Sequence, residues 1–253
     1  MREAVDRILF AKEKQERVLV YGDYDVDGVT ATALLTQILK ASGANVLGYI
    51  PNRFDEGYGL NFEALDYLKS LGVRLVITVD CGIRSLVEAD YARQIGLDLI
   101  ITDHHHPQTE LPSAVAIINP KQEGDTYPDK NLAGVGLAYK LAMGFVEQNL
   151  GVSSQPHPDR LSGYENYVDN YLDLVALGTV ADLAPLVGEN RALVRNGLEM
   201  IQRPHRQGIM ALIGVSGLEP QGISSTDIGY ILGPRLNAAG RLDSALAALE
   251  LIT

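Results

Sequence analysis

Residues 18–35 read VLVYGDYDVDGVTATALL, and the fold follows from them. A β-branched apolar run gives way to aspartates at positions 23, 25 and 27, after which Gly28 opens a stretch rich in Ala, Thr and Leu. The pattern predicts a buried strand, a tight acidic turn, and a helix over 28–42 stopped by Gly43. Such a strand projects Asp23, Asp25 and Asp27 from its carboxyl end, where open α/β sheets place their ligands. Three like charges crowded there repel one another unless cations neutralise them, which favours a metal site over a solvated turn. DxDxDG also begins an EF-hand loop, but the twelfth position of that loop must be a bidentate Glu and is here Leu34, so that reading fails.

Outward from this stretch, residues 2–15 carry Ala4, Val5, Ile8, Leu9 and Ala11 between charges, the pattern of an amphipathic helix. Strands are predicted at 46–50, 75–79, 98–102 and 114–118, with helices at 62–71 and 85–95 between them. The alternation predicts an α/β fold with an open, mainly parallel five-stranded sheet flanked by helices and joined by right-handed crossovers. Acids and imidazoles again follow strands: Asp80 after the third, and Asp103, His104, His105 and His106 after the fourth. Residues 51–61, PNRFDEGYGLN, are too rich in Gly, Pro and Asn for regular structure and hold Arg53. Beyond Lys121 helices are predicted at 132–150, 168–180 and 190–202, with a loop or insertion over 151–166. The second of these ends LVALGTVADLAPL and delivers Asp182 just before Pro185. GPRLNAAGRL at 233–242 precedes an Ala- and Leu-rich helix running to Thr253. The expected organisation is a metal-binding domain over 1–200 and a helical connector over 201–253, cut before a second domain.

The chain has 253 residues, enough for a substantial core, and 46% of them are hydrophobic, as suits a globular α/β protein. No apolar run reaches the roughly 18 residues of a membrane span, and MREAVDRILF lacks a signal-peptide pattern, so a cytoplasmic protein is expected. The single cysteine, Cys81, excludes an internal disulfide and a thiolate zinc site, and a core-lining thiol is expected. A formal net charge of -11 opposes nucleic-acid binding unless bound cations or a basic surface elsewhere compensate.

The collected donors are Asp25, Asp27, Asp80, His104 and Asp182, with Asp23 and His105 beside them. Oxygen donors with one or two imidazoles suit Mn²⁺ or Mg²⁺ better than zinc. Several carboxylates in one site naturally serve two ions, about 3.5–4 Å apart, that share a bridging carboxylate, acidify a water and steady a leaving oxygen. Phosphoester hydrolysis is the chemistry such a site suits. His104 is expected to bind metal as neutral imidazole, and His105 to contact the scissile phosphate or act as general acid. His106 is expected to be exposed and incidental.

GDYDVDG, the DCG at 80–82, the DHH at 103–105 and GTVAD together resemble the DHH phosphoesterase superfamily. Within it, GDYDVDGVTATALL, RFDEGYGLN, LAGVGLAYKL, LGTVADLAPL and GPRLNAAGRL resemble the RecJ family of bacterial exonucleases, which degrade single-stranded DNA from 5′ to 3′; the match runs from about residue 18 to the C-terminus. The resemblance implies Asp25 and Asp27 as ligands from the first motif, Asp80 as bridging carboxylate, His104 and Asp182 as further ligands, and His105 at the phosphate. Small-substrate members of the superfamily often have His where this chain has Tyr21, and Asp23 is the natural substitute ligand. Arg53, Arg235, Asn237 and Arg241 lie in family motifs and are implied to hold substrate phosphates. Gly134 and Gly136 allow either close approach to the ligand or tight helix packing.

The implied function is metal-dependent 5′-to-3′ hydrolysis of single-stranded DNA to mononucleotides in repair and recombination, with two Mn²⁺ (or Mg²⁺) ions as cofactors. The implied partners are single-stranded DNA, a single-strand-binding protein and a helicase, with no membrane. The alternatives are a phosphodiesterase of short oligonucleotides or cyclic dinucleotides, and an inactive replication scaffold. Product length on long and short substrates separates the first two, and loss of acidic ligands would mark the third.

Overall fold

The structure, a computed structural model, describes residues 1–52, 59–151, 165–242 and 245–253, with the side chains of 165–166 and 239–242 outside that description. Five strands, β1 (Arg17–Gly22), β2 (Val46–Tyr49), β3 (Val73–Val79), β4 (Asp98–Thr102) and β5 (Ala116–Ile118), form one sheet in the order β2-β1-β3-β4-β5. Every pairing is parallel, with Val18 opposite Val46, Val20 opposite Ile77, Ile77 opposite Ile100 and Ile101 opposite Ile117. From β1 the chain moves to β2 on one side and returns to β3 on the other. The boundary between β1 and β3 is therefore the topological switch point, where a crevice opens beyond the strand ends.

Alternation along the strands divides the interior into two layers. Val18 and Val20 face a large core with Leu75, Ile77 and Ile100, covered by α1 (Arg2–Glu13), α2 (Val26–Ala41), α5 (Gly134–Asn149) and α7 (Leu172–Ala181). Leu19 and Tyr21 face a smaller core against α3 (Phe62–Ser70) and α4 (Leu86–Gln94). The helix α2 lies between the sheet and a second helical layer, and residues 26–35 are buried without interruption. This accounts for the sequence VTATALL, whose small and apolar side chains leave no polar face. Each of Leu34, Leu35, Ile38 and Leu39 is fully buried, which stabilises the fold by about 1.5–3 kcal/mol per side chain.

Several boundaries differ from the predicted ones for local reasons. The helix predicted from Gly28 begins at Val26, because the Asp25 Oδ1 accepts the backbone N–H groups of Asp27 (2.9 Å) and Gly28 (3.1 Å) as its N-cap. The helix predicted at 168–180 is divided into α6 (Glu165–Asp169) and α7. After α8 (Gly188–Ile201) come α9 (Gln207–Val215) and α10 (Ser225–Asp227), both within a stretch for which no element was predicted. A π-helical turn, Ile228–Leu232, then leads into α11 (Gly233–Leu242), followed by α12 (Ala245–Ile252). Leu212, Ile228, Leu236 and Leu249 from this C-terminal part belong to the same large core as α2. No helix among the described residues is long and apolar enough to cross a membrane.

Candidate metal centre

Four segments meet at the crevice. Asp23 follows β1, while Asp25 and Asp27 sit at the start of α2, so a helix N-terminus and not a prolonged strand presents the latter two. Asp80 follows β3 with φ 63°, a left-handed conformation that Asp tolerates better than branched residues do. His104 and His105 follow β4, and Asp182 closes the C-terminus of α7. Donor atoms lie within 4.8 Å of one another in three groups: Asp23, Asp25 and Asp80; Asp80, His104 and His105; Asp27, His104 and Asp182. The His104 Nε2 is 3.1 Å from Asp80 Oδ1, 3.7 Å from Asp182 Oδ2 and 3.9 Å from Asp27 Oδ2. All six predicted ligands thus come together, with Asp80 common to two of the groups.

Their electrostatics suit a cation. Asp80 is 1% exposed, yet neither of its oxygens has a hydrogen-bond partner, and neither does His104 Nε2; the close approach of the two lacks hydrogen-bond alignment. Burial, then the neighbouring carboxylates, push Asp27 and Asp80 well above the usual carboxylate range. Burial and the charge of Asp25 raise Asp23 to about 7, and burial followed by the same charge raises Asp182 to about 6. Burial, then the charge of His105, lowers His104 to about 4, so its imidazole is neutral and fit to donate an electron pair. Oxygen-rich donors with one neutral imidazole fit Mn²⁺ or Mg²⁺, whose positive charge would reverse the repulsion among the acids.

The helix α5 also shapes the centre. Asp27 Oδ2 accepts the Gly134 N–H at 2.6 Å and Oδ1 the Val135 N–H at 2.8 Å, so this carboxylate caps a helix 107 residues further along the chain. A methyl group on Gly134 would lie 2.7 Å from Asp80 Cβ and 2.8 Å from its Oδ1. Gly134 therefore packs directly against the Asp80 side chain, while a methyl on Gly136 would meet only the Leu132 side chain.

Asp103, the first residue of the DHH triplet, received no role from the sequence. Its Oδ1 accepts the His105 backbone N–H (2.9 Å) and lies 2.7 Å from His105 Nδ1, while Oδ2 accepts the Ile83 N–H (2.9 Å). Burial works to raise its pKa, but the hydrogen bonds from His105 and Ile83 outweigh it and hold the carboxyl below the ordinary value. The hydrogen bond to Asp103 in turn raises His105 against the opposing effect of burial. The spacing of two from Asp103 to His105, a local Asx-type turn, was the signal available in the sequence.

Tyr21 faces the opposite layer, where its hydroxyl donates to the Gly59 carbonyl at 2.9 Å, while Asp23 lies with Asp25 and Asp80. Asn237 Oδ1 accepts the Val26 N–H at 3.1 Å, bracing α11 against the start of α2 beside Asp25 and Asp27. Arg235 is exposed, with Nη1 donating to the Ile231 carbonyl one turn back. Arg53 and the Arg241 side chain lie outside the described residues. His106 is exposed, and Cys81 is a buried core thiol as expected.

The sheet order and the donors at its switch point define a doubly wound α/β domain of the cation-holding kind. Residues 17–179 match the DHH family, N-terminal domain, and the chain belongs to that family. It is 46% identical over 252 residues to the single-stranded-DNA-specific exonuclease RecJ of Bacillus subtilis, covering 100% of this chain and 30% of that protein. The corresponding figures for RecJ of Escherichia coli are 39% over 264 residues, 100% and 44%. A crystal structure of exonuclease RecJ bound to manganese superposes with a TM-score of 0.84 at 35% identity, over 99% of this chain and 60% of that one. RecJ from Thermus thermophilus in complex with Mn²⁺ gives 0.79 at 33% identity, over 99% of this chain and 34% of that one. The chain thus spans less than half the length of these two sequence relatives.

Proposed function

We propose that this chain is the metal-binding part of an exonuclease that hydrolyses single-stranded DNA from 5′ to 3′ into mononucleotides, in DNA repair and recombination. The observation that carries this reading is Asp80, whose two buried, unpartnered oxygens lie among Asp23, Asp25, His104 and further acids. The names of the relatives support single-stranded DNA as substrate, and the manganese in their structures supports the metal. A single-strand-binding protein and a helicase are the proposed partners, and the cytoplasm the compartment. Retention of every expected acidic donor opposes the inactive-scaffold reading.

Asp23, Asp25 and Asp80 would hold one ion, Asp27, His104 and Asp182 the other, with Asp80 reaching both. When bound, two such ions supply Lewis-acid charge and lower the pKa of water. The protein's own groups do the rest. Asp103 orients the His105 ring through Nδ1, and the ring so held would meet a phosphate oxygen or give a proton to the leaving oxygen. Arg235, Asn237, Arg241 and Arg53 would grip flanking phosphates, arginine doing so with a planar pair of donors.

The test is release of mononucleotide from single-stranded DNA labelled at one end or the other, with Mn²⁺, for this chain and its Asp80→Ala variant. Immediate release of the 5′ label, lost in the variant, is expected. First release of the 3′ label would overturn the polarity. Turnover confined to dinucleotides would replace the substrate with short oligonucleotides.

A further inference from the structure

Lys121 opens the segment after β5, and none of the roles above uses it. Its place is set by Asn119, which is 1% exposed. The Asn119 Oδ1 accepts the Lys121 N–H at 2.8 Å, and its Nδ2 donates to the His105 carbonyl at 2.8 Å. One residue earlier, the Ile118 carbonyl accepts the Asp103 N–H at 3.1 Å. Residues 118–121 and 103–105 therefore form one braced unit, and the lysine emerges from it beside the histidine pair.

Its charge reaches the centre. Lys121 lowers the pKa of both His104 and Asp182, acting on each more than any other lysine or arginine does. Among the described residues, however, the half-buried Lys121 ammonium forms no ion pair and donates no side-chain hydrogen bond. A cation within Coulomb range of a site that gathers divalent cations is repelled by them. The arrangement becomes favourable when an anion lies between the ammonium and the ions, and a phosphate at the centre is such an anion.

We infer that Lys121 contacts a non-bridging oxygen of the phosphate bound at the metal centre, as a substrate-binding residue distinct from the arginines of the GPRLNAAGRL motif. The inference rests on the phosphodiester reading of the centre. A lysine suits this position because its ammonium is a compact charge on a flexible stem and can follow the phosphate as its geometry changes.

Calorimetry on the wild-type chain, Lys121→Met and Lys121→Arg tests it, first with Mn²⁺ alone and then with thymidine 5′-monophosphate at saturating Mn²⁺. The methionine variant is expected to bind Mn²⁺ as tightly as the wild type or more tightly, since a repelling charge is gone. It should bind the nucleotide about tenfold more weakly, the usual scale for a charge-assisted hydrogen bond. The arginine variant should recover most of that loss. Unchanged nucleotide affinity in Lys121→Met, a parallel loss of Mn²⁺ binding, or a wild-type chain that binds Mn²⁺ but no nucleotide would each overturn the contact. Lys121-dependent nucleotide binding in a protein that degrades no DNA would uphold the contact and remove the exonuclease reading instead.

Discussion

Asp80 and Asp103 stand at the ends of neighbouring strands, each 1% exposed, and their backbones are held alike: Asp80 N–H donates to the Thr102 carbonyl and Asp103 N–H to the Ile118 carbonyl. Their side chains differ completely. Asp103 spends both oxygens on Ile83 and His105 and is held ionised, whereas Asp80 has no partner on either oxygen, and burial followed by the neighbouring acids pushes its pKa up. A buried carboxylate with its bonds made is scaffold, and one without them is a group destabilised until a cation arrives. The contrast separates ligand from support where residue type and burial cannot.

The largest effect is expected at Asp80. Asp80→Ala should lower Mn²⁺-dependent hydrolysis by about 10³-fold or more, as removal of a shared metal ligand takes away several kcal/mol of charge stabilisation. In chelator, the same variant should unfold at equal or higher temperature, because a buried polar group left without a partner costs about 1–3 kcal/mol. Asp103→Ala should do the reverse to stability, lowering it by about 1–3 kcal/mol as the buried Ile83 N–H loses its acceptor and the His105 turn its brace, and should reduce turnover about 10–100-fold as loss of a supporting partner does. Thermal unfolding of both variants in chelator checks the pair. Shifts of the same sign would break the distinction.

Gly134→Ala sharpens it from the other side of Asp80. The added methyl must displace that carboxylate or α5, at about 1–3 kcal/mol of overpacking, and Mn²⁺ affinity measured by calorimetry should fall while the histidine-bearing turn is left intact. Smaller still is the pH effect in chelator. Asp23 at about 7 and Asp182 at about 6 stand above the ordinary carboxylate value of 3.8, so the folded state holds extra protons between those limits. Their contribution is fully present below pH 3.8 and is lost as pH rises through 6 to 7. Asp103, with a lowered pKa, runs oppositely and loses its contribution as pH falls through its folded value. Urea titrations at about pH 5 and about pH 8 should therefore favour the lower pH for the metal-free wild type, and Mn²⁺ should invert that order. Arg235→Ala, which touches neither strand end, should weaken single-strand binding several-fold and shift stability by less than about 0.5 kcal/mol.

Local pattern was enough for much of this protein. Runs of Val, Ile and Leu bounded by Gly, Asp or Pro located β1 to β5 within a few residues, because strand burial writes itself into consecutive positions. Donor types after β1, β3 and β4 marked Asp23, Asp25, Asp27, Asp80, His104 and His105, since in a parallel sheet such positions lie on one edge, and the end of a predicted helix marked Asp182. The segment holding α9 and α10 carried no readable signal, for its helices are short and take their shape from packing on a core built elsewhere.

Partnership lay beyond local pattern. That Asp103 supports while Asp80 stands unpartnered depends on the turn at Ile83 and on α5 arriving against Asp27 across 107 residues. Tyr21 and Asp23 are two positions apart, yet the one is committed to the far layer and the other to the crevice because β1 ends between them. Residue identity and periodicity are properties of the chain near each position. Which oxygens remain without a hydrogen bond is set by every neighbour that packing brings close, and that is known only when the fold is complete.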